Sequence, residues 1–225
     1  CFAGQPTDAL TQRTDCTEIG FVMQEPDAQI VTDKVWHELA FGLENLGLPN
    51  AEIRARVAET AAFFGIEGWF DRDVSTLSGG QKQLLNLAAV MTMRPSLLLL
   101  DEPTSRLDPI AAERFFDALV RINRETGTAV ILSEHRLDAA FAVSDRVILL
   151  DGGRVIADGT PTEIGDNLRA HPHPMALAMP APMRVYAAAG GAPVCPVTVR
   201  EGRDYLTART AGIPLLPLSP GKAAS

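Results

Sequence analysis

The chain has 225 residues, of which 46% are hydrophobic and 21% are charged, and these fractions are ordinary for one globular domain with an appendage. Its formal net charge of -8 argues against DNA or RNA as a partner, because phosphate backbones are bound mainly through Lys and Arg. The three cysteines, Cys1, Cys16 and Cys195, are too few and too widely spaced for a disulfide framework or a zinc site, so a reducing cytoplasm is expected.

The first predicted element is a short strand over Ile19 to Gln24, which the chain reaches soon after Cys1. Because the chain begins with Cys rather than Met and enters a strand almost at once, we expect its N-terminus to be a truncation. No run of the sequence approaches the roughly 20 apolar residues that a membrane-spanning helix needs. Any role at a membrane is therefore expected to come through partners.

A helical pattern follows from Thr32 to about Phe70. Apolar residues recur there at spacings of three and four, first at Val35, Trp36, Leu39, Ala40 and Leu43, and again at Ile53, Val57, Ala61 and Phe64. The run from Leu46 to Asn50 contains Gly and Pro and separates the two stripes. The pattern predicts an all-helical subdomain over about residues 26–84, with Trp36, Leu39 and Leu43 in its core.

The segment Ser78-Gly79-Gly80-Gln81 opens the next predicted helix, which runs from Gln81 to Met93 and stops at Arg94-Pro95. A serine and two glycines at a helix start present backbone N–H groups and the positive end of the helix dipole to an anion. The segment also fits a simple helix start, since Ser is a preferred N-cap and Gly is common in turns. That alternative explains the serine but not two glycines followed by Gln81.

The apolar run Leu97 to Leu100 predicts a short strand that is buried on both faces. It ends in Asp101-Glu102-Pro103-Thr104. Two adjacent carboxylates there can bind a metal ion and activate water, and ligands of open parallel sheets bind outside the carboxyl ends of the strands. Taken alone, the pair also fits a strand that ends at a solvated loop.

The following residues continue the alternation of helices and strands. Asp108-Pro109 predicts a helix start with proline at the first helical position, and Gly127 predicts its end. Strands are predicted at Ala129 to Ser133 and at Arg146 to Leu150, and Asp151-Gly152-Gly153-Arg154 predicts a hairpin turn. This order predicts the α/β class, with a parallel sheet and an antiparallel hairpin near its end.

The composition shifts after Gly165 toward Pro, Ala and Gly, which predicts a linker or tail over residues 166–225. His171 and His173 lie between prolines in this segment, with no cysteine or acidic partner nearby in sequence, and we expect them not to bind a metal. Residues 1–165 are then expected to form the folded domain.

Two motifs carry a resemblance to a known family. LSGGQKQ, around Ser78, and LLLLDEPTSRLD, around Glu102, closely resemble the signature and Walker B segments of ABC-type ATPases. The resemblance covers about residues 18–165 and implies a P-loop NTPase (RecA-like) parallel sheet with an all-helical ABC subdomain. No G-x-x-x-x-G-K followed by Ser or Thr occurs in the sequence, so we expect a partial nucleotide-binding domain over 1–165 that lacks the N-terminal strand and the P-loop.

The resemblance implies roles for residues at the strand ends, with ATP and Mg²⁺ as cofactors. Asp101 would order the Mg²⁺ coordination shell, and Glu102 would polarise the attacking water as general base. His135 matches the switch histidine that contacts the γ-phosphate, although a single histidine at a strand end is more often a structural hydrogen-bonding group. Gln24 matches the Q-loop glutamine, whose amide reaches the metal or the water and which links to the helical insertion.

The signature segment, from Ser78 to Gln81, covers in this family the γ-phosphate of ATP that an opposing subunit holds. The resemblance therefore implies a head-to-tail dimer with a second ABC ATPase domain. Bare backbone at Gly79 and Gly80 is expected to permit the close approach to the nucleotide.

The loop Ser105-Arg106-Leu107-Asp108 matches the family's loop that crosses the dimer interface. The family usually has a small residue where Arg106 stands. Two expectations stay open for Arg106: it pairs with a carboxylate across the interface, or it points to solvent. Asp108 is expected either to bind at the interface or to serve only as the cap of the following helix.

Within the ABC ATPases, residues Gln24 to Asn45 and Ser133 to Leu137 resemble the Q-loop and switch regions of the energy-coupling-factor importers. Those importers take up vitamins, vitamin precursors or metal ions, and their ATPases dock the helical insertion on an integral membrane coupling subunit. The resemblance implies a peripheral position at the cytoplasmic face of the cell membrane. The segment Cys195 to Arg203 resembles the connector that precedes a second ATPase module in tandem members, so the partner is either a second copy or that module.

We expect the longer protein to be an ATPase, and we expect this chain alone to hydrolyse ATP negligibly because it lacks the Walker A loop. Two alternatives stay open. One is a soluble ABC ATPase that acts in DNA repair or translation, which the acidic charge and the absence of a zinc motif disfavour. The other is a non-catalytic interaction module that genuinely lacks the loop. The transported substrate is not encoded here, because ABC ATPases do not touch it.

Overall fold

The computed structural model describes residues 17–191 and 194–211, and the chain divides into two compact units with the boundary between Ala139 and Ala140. The described residues of the first unit include three strands, β1 (Ile19–Val22), β2 (Leu97–Asp101) and β3 (Ala129–Ser133). Its helices are α1 (Pro26–Gln29), α2 (Val35–Asn45), α3 (Asn50–Phe64), α4 (Gly79–Met91) and α5 (Pro109–Thr126). Helix α6 (Leu137–Val143) contains the boundary.

The strands of the first unit form a parallel sheet in the order β1, β2, β3, with Ile19 opposite Leu97 and Leu97 opposite Ala129. This arrangement confirms the predicted α/β class. Because all three strands run the same way and are in register, the residues that follow them lie at one edge of the sheet. Strand β1 ends at Val22, two residues earlier than predicted, so Gln24 lies in the loop beyond the strand.

The two faces of this sheet differ in burial. Leu98 and Leu100 are buried on the face against which Val90 of α4 lies. On the opposite face Leu97 and Leu99 are only partly buried, and the neighbouring Ile131 is 60% exposed. The prediction that the run Leu97 to Leu100 is buried on both faces is therefore wrong in the described structure, because α4 packs on one face of the sheet.

The helical insertion predicted from the apolar stripes is present as α2 and α3, which pack with α4 around one core. Its buried residues are Val35, Leu39, Ala40, Leu43, Ile53, Val57, Ala61, Ile66, Val74, Leu77, Leu85 and Ala88. Trp36 was predicted in this core and is instead 45% exposed, stacked on His37 with 5.1 Å between ring centroids. The buried stripe follows Val35, Leu39 and Leu43 at intervals of four, which leaves Trp36 at its margin.

Local sequence signals set the ends of α4 and α5. Helix α4 begins at Gly79, after the N-cap Ser78, and ends at Met91 ahead of Arg94, whose φ is +57°. Helix α5 has Asp108 as N-cap and Pro109 at its first turn, and it ends at Thr126, followed by the C-cap Gly127, whose φ is +74°. The predicted bounds of α5 are confirmed, and α4 starts two residues earlier than expected because the glycines are themselves helical.

The second unit contains an antiparallel hairpin of β4 (Val147–Asp151) and β5 (Arg154–Gly159), in which Asp151 lies opposite Arg154. Gly152 and Gly153 have φ values of +53° and +74°, as a two-residue turn with two left-handed positions requires. The predicted hairpin is confirmed. A bidentate ion pair from Arg146 to Asp158 lowers the pKa of the Asp158 carboxyl and raises the pKa of Arg146.

The segment predicted to be a linker contains helices instead. After α7 (Pro161–Ala170) come a short 3-10 helix (Pro174–Ala178), α8 (Ala181–Ala188) and α9 (Val199–Thr210). Two of the prolines that indicated a linker, Pro174 and Pro182, stand in the first turns of the 3-10 helix and α8, where proline is tolerated. Met183, Tyr186 and Cys195 are buried, and burial raises the pKa of the Cys195 thiol to about 12.

His171 and His173 differ in position within the second unit. His171 ends α7 as its C-cap, and His173 Nδ1 accepts a hydrogen bond from the backbone N–H of Met175. His173 Nε2 lies 3.4 Å from Asp151 Oδ2. Within residues 17–191 and 194–211, no helix is long and apolar enough to cross a membrane.

Candidate functional site

Three segments that follow the three parallel strands meet at the carboxylate of Glu102. Gln24 lies after β1 and donates from Nε2 to Glu102 Oε2 at 3.1 Å. His135 lies after β3, and its Nε2 is 2.9 Å from Glu102 Oε1. The structure therefore brings together all three residues predicted to be catalytic, although 78 residues separate Gln24 from Glu102 in sequence.

The backbone at Glu102 is strained and tied to the neighbouring strand. Its φ is +40°, in the left-handed region that residues other than glycine rarely adopt. The N–H of Glu102 is directed at both the carbonyl oxygen and the Oγ of Ser133, at 3.2 and 3.1 Å. Such strain is often found at functional sites. Here it turns the side chain out of the strand direction, toward Gln24 and His135.

Asp101, the predicted metal ligand, ends β2 with an exposed side chain. Its Oδ1 accepts a hydrogen bond from Ser133 Oγ at 2.9 Å. Within the described part of the chain, no group of three or more His, Cys, Asp or Glu side chains could hold a metal on its own. A carboxylate and the amide of Gln24 nevertheless fit Mg²⁺, which commonly takes one or two protein ligands and completes its shell with phosphate and water.

The signature segment forms a local capping box at the start of α4. Ser78 Oγ accepts from the N–H of Gln81 at 3.3 Å, and the Gln81 side chain accepts from the N–H of Ser78 at 2.9 Å. Ser78 therefore serves as the N-cap that the helix-start alternative predicted. The N-terminal end of α4 still carries the positive end of the helix dipole.

The two glycines of this segment serve different purposes. A Cβ on Gly79 would meet nothing within 4 Å, so its backbone is open to solvent and to a ligand. A Cβ on Gly80 would lie 2.8 Å from Cβ of Ala111 in α5, which is too close. Gly80 is therefore required by helix packing inside the chain, and the expected open backbone is found only at Gly79.

The loop that carries Gln24 is fixed to helix α4 by side-chain amides that the sequence did not single out. Gln83 Nε2 donates to the carbonyl of Met23 at 2.9 Å, and Asn86 Nδ2 donates to that of Pro26 at 3.0 Å. Both amides are almost fully buried. Since they hold the backbone on each side of Gln24, they restrict where its side chain can reach.

The loop after β2 also contacts the loop of Gln24. Arg106 pairs with Glu25, and Gln24 Nε2 lies 3.3 Å from Ser105 Oγ. Arg106 is thus paired with a carboxylate of its own chain in the described structure. Asp108 serves as the cap of α5, with Oδ1 accepting from the N–H groups of Ile110 and Ala111 at 3.0 Å.

The signature helix and the two loops enclose one small pocket. Its volume is about 120 Å³, and its lining includes Gly79, Gln83, Gln24, Pro103 and Arg106. The open glycine of the signature segment therefore lies on the same surface as the glutamine that contacts Glu102. The predicted anion-binding segment and Gln24 are therefore neighbours in this unit.

Chemically, the site can accept a proton and hold a water molecule. Glu102 is partly exposed, with a hydrogen bond from Gln24 on one oxygen and His135 Nε2 at 2.9 Å from the other, so a water at the edge of the sheet can donate to its carboxylate. Sequence analysis missed the supporting residues Ser133, Glu134 and Arg136, which contact the loop after β2. The resemblance of Ser133 to Leu137 to a switch region marked this segment, but it did not indicate these contacts.

Comparison with known proteins gives consistent matches. A family model described as ABC transporter matches residues 2–105. A Bacillus anthracis ABC transporter ATP-binding protein is 53% identical over 151 residues, which is 67% of this chain and 27% of that protein. The energy-coupling factor transporter ATP-binding protein EcfA1 of Symbiobacterium thermophilum is 46% identical over 155 residues, covering 68% of this chain and 54% of that protein.

A solved structure supports the same relationship. CbiO1 of Clostridium perfringens, described as part of the ABC transporter complex CbiONQ, matches with a TM-score of 0.68 and 32% sequence identity. The match covers 76% of this chain and 72% of the solved chain. It confirms the predicted fold, a P-loop ATPase sheet with its helical subdomain. The chain spans about a quarter of the Bacillus protein and about half of EcfA1.

Proposed function

Because the chain belongs to the family of ABC transporter ATP-binding proteins, we propose that it supplies the signature segment and the hydrolytic carboxylate of an ATPase that powers uptake across a membrane. One observation carries the proposal. At the edge of a parallel sheet, the two carboxylate oxygens of Glu102 are contacted by side chains from two other segments. Gln24 Nε2 lies 3.1 Å from Oε2, and His135 Nε2 lies 2.9 Å from Oε1. A carboxylate held in this way suits a general base for water.

The residues at this edge then have separate tasks. Glu102 accepts the proton of the attacking water, while His135 and Gln24 fix the orientation of the carboxylate. Asp101 and Gln24 would hold Mg²⁺, which when bound neutralises charge on the phosphate oxygens. Ser133 keeps Asp101 in place through its hydroxyl group.

The signature segment is proposed to act on a nucleotide held by a second ABC ATPase domain. The N-terminus of α4 offers backbone N–H groups and a positive dipole end to the γ-phosphate, and Gly79 is open enough for close approach. Ser78 keeps this helix start folded through the capping box with Gln81. Asp108 and its loop are proposed to lie at the interface with that second domain.

The transport role is proposed from the names of two similar proteins. One is an energy-coupling factor transporter ATP-binding protein and the other is part of an ABC transporter complex. We propose that the helical subdomain binds an integral membrane coupling subunit, and that ATP hydrolysis drives uptake of a vitamin, a vitamin precursor or a metal ion. The working position is then the cytoplasmic face of the cell membrane.

The chain alone is proposed not to hydrolyse ATP. A phosphate-binding lysine and backbone donors contribute roughly 1.5 to 3 kcal/mol each as charge-assisted hydrogen bonds, and no P-loop motif occurs in the sequence. The loss of three such bonds removes on the order of 4 to 9 kcal/mol, or three to six decades of affinity. ATP binding by the isolated chain should therefore be weak.

Calorimetry and a steady-state ATPase assay test this function. The isolated chain is compared with the assembled ATPase, which contains this chain together with a phosphate-binding loop. We expect turnover only in the assembled ATPase. Ordinary turnover by the isolated chain would contradict the proposed division of the site, and an assembled protein without ATPase activity would contradict the function itself.

A further inference from the structure

The carboxylate of Glu134, next to the proposed switch histidine, accepts hydrogen bonds from two segments. Its Oε1 accepts from the N–H of Thr104 at 3.1 Å and also from the Thr104 hydroxyl group. Its Oε2 accepts from the N–H groups of His135 and Arg136 at 2.8 and 3.0 Å. Four donors on one partly buried carboxylate leave it little freedom to move.

Arg136 makes a second connection between the same two segments. Its Nη2 donates to the carbonyl of Leu107 at 2.6 Å. Thr104 is completely buried and Leu107 is 5% exposed, so both attachment points lie in well-packed structure. The loop after β2 is thus held at Thr104 and again three residues later.

His135 lies between these two attachments. Its side chain is 83% exposed, and its Nε2 contacts Glu102. Packing around the imidazole ring therefore cannot fix its position. The backbone of His135, in contrast, is held by the bond from its own N–H to Glu134.

We infer that Glu134, supported by Arg136, is a positioning residue that holds the switch segment on the loop after β2 and so keeps His135 on Glu102. The inference rests on the proposed function for its catalytic consequence. The hydrogen-bond arrangement itself can be tested without any nucleotide. The same hydrogen bonds imply that if an interface displaced the loop carrying Arg106 and Asp108, the position of His135 would change as well.

Glutamine at position 134 would be a poor replacement. A carboxylate accepts at both oxygens, whereas one end of a glutamine amide carries an NH₂ group that only donates. Glu134→Gln would therefore turn a donor toward either the Thr104 groups or the N–H groups of His135 and Arg136. A buried donor without an acceptor is costly, so the two segments should separate locally.

Amide hydrogen exchange on the full chain tests the arrangement directly. In Glu134→Gln we expect either the N–H of Thr104 or the N–H groups of His135 and Arg136 to exchange about tenfold faster or more, because the amide NH₂ group leaves one of these two sets without its acceptor. Glu125→Gln is the matched control, since it removes one carboxylate and one ion pair, with Arg121, at the far end of α5. Exchange at the three N–H groups within twofold of the unsubstituted chain would overturn the inference.

A second pair of variants distinguishes the loss of this hydrogen bond from a general destabilisation of the fold. Thr104→Val keeps the shape of the side chain but removes the hydroxyl donor, and Thr104→Ser keeps the donor. We expect faster exchange at His135 and Arg136 in the valine variant and not in the serine variant. If both variants behave alike, the hydroxyl bond to Glu134 does not hold the segments and the inference fails.

The catalytic consequence is measured in the assembled ATPase. Because a misplacement of about 1 Å can cost 10²-fold in rate, we expect Glu134→Gln to lower kcat about tenfold or more while KM for ATP stays within twofold. An unchanged kcat together with faster exchange would overturn the positioning role. If the unsubstituted assembly shows no turnover, the proposed function fails, and the exchange experiment still decides whether Glu134 joins the two segments.

Discussion

The proposed hydrolytic cluster, Glu102 with Gln24 and His135, and the signature segment of the same unit are built in opposite ways. Glu102, Gln24 and His135 come from three separate segments and meet only because parallel strands carry them to one edge. The signature segment is four consecutive residues whose capping box forms within a single helical turn. One site depends on the sheet and the other depends mainly on local hydrogen bonds.

This difference indicates where each site is sensitive. Exposed side chains of the cluster can be removed with little loss of packing, so substitutions there should change the rate of chemistry. The signature segment includes a glycine packed on another helix and a serine that caps its own helix. Substitutions there should change folding stability as well.

The largest expected effect is on the cluster. His135→Ala removes the contact with Glu102, and we expect kcat of the assembled ATPase to fall roughly 100-fold, which corresponds to about 2.7 kcal/mol in the activation free energy. The free energy of unfolding of the chain should stay within about 0.5 kcal/mol, because the side chain is exposed. A decrease in the free energy of unfolding by more than about 2 kcal/mol would contradict the prediction that this cluster affects chemistry and not folding stability.

The next effect separates the two glycines of the signature segment. Gly80→Ala should destabilise the chain by about 1 to 3 kcal/mol, since its Cβ would lie 2.8 Å from that of Ala111. Gly79→Ala is the matched control and should cost little or nothing in stability, because its Cβ has open space. Urea denaturation measures both, and equal destabilisation of the two variants would refute the packing role of Gly80.

A smaller effect is expected at the cap. Ser78→Ala removes the acceptor for the N–H of Gln81 and should lower the free energy of unfolding by about 1 kcal/mol. Ser78→Asp retains a capping oxygen and should recover most of this loss. Urea denaturation of the two variants decides the matter. If the Ser78→Ala variant has the same free energy of unfolding as the unsubstituted chain, the segment does not depend on its capping box.

The smallest effect concerns the ion pair that joins the two loops. Arg106 and Glu25 are both more than half exposed, so their interaction should contribute only about 0.2 to 1 kcal/mol. A double-mutant cycle with Arg106→Met and Glu25→Gln measures this coupling by urea denaturation, and high salt should reduce it. Coupling above 2 kcal/mol would show that this loop contact matters as much as the contacts within the cluster.

Sequence patterns predicted the parts of the structure that depend on local chemistry. The glycines of the hairpin, the prolines and caps of α5 and the apolar stripe of the helical insertion each indicated an element that is present. The fold and the strand-end residues of the site followed from these elements and from the family motifs. Signals of this kind depend on spacing within a few residues.

The same sequence patterns did not predict contacts between residues that are far apart in sequence. Nothing in the spacing of Arg106 and Glu25, 81 residues apart, indicated that they pair. Trp36 fits an apolar stripe and is exposed, because three other residues fill the core position of α2. Prolines after residue 165 indicated a linker, although proline is equally suited to helix starts, where Pro174 and Pro182 occur.

The most direct measurement is single-turnover ATP hydrolysis by the assembled ATPase carrying Glu102→Gln, with Glu125→Gln as the control for loss of a carboxylate. If Glu102 is the hydrolytic base, the variant should bind ATP with unchanged affinity and hydrolyse it at least about 100-fold more slowly, while the control keeps the normal rate. Hydrolysis by the Glu102→Gln variant within about twofold of the unsubstituted protein would contradict the assignment of this carboxylate.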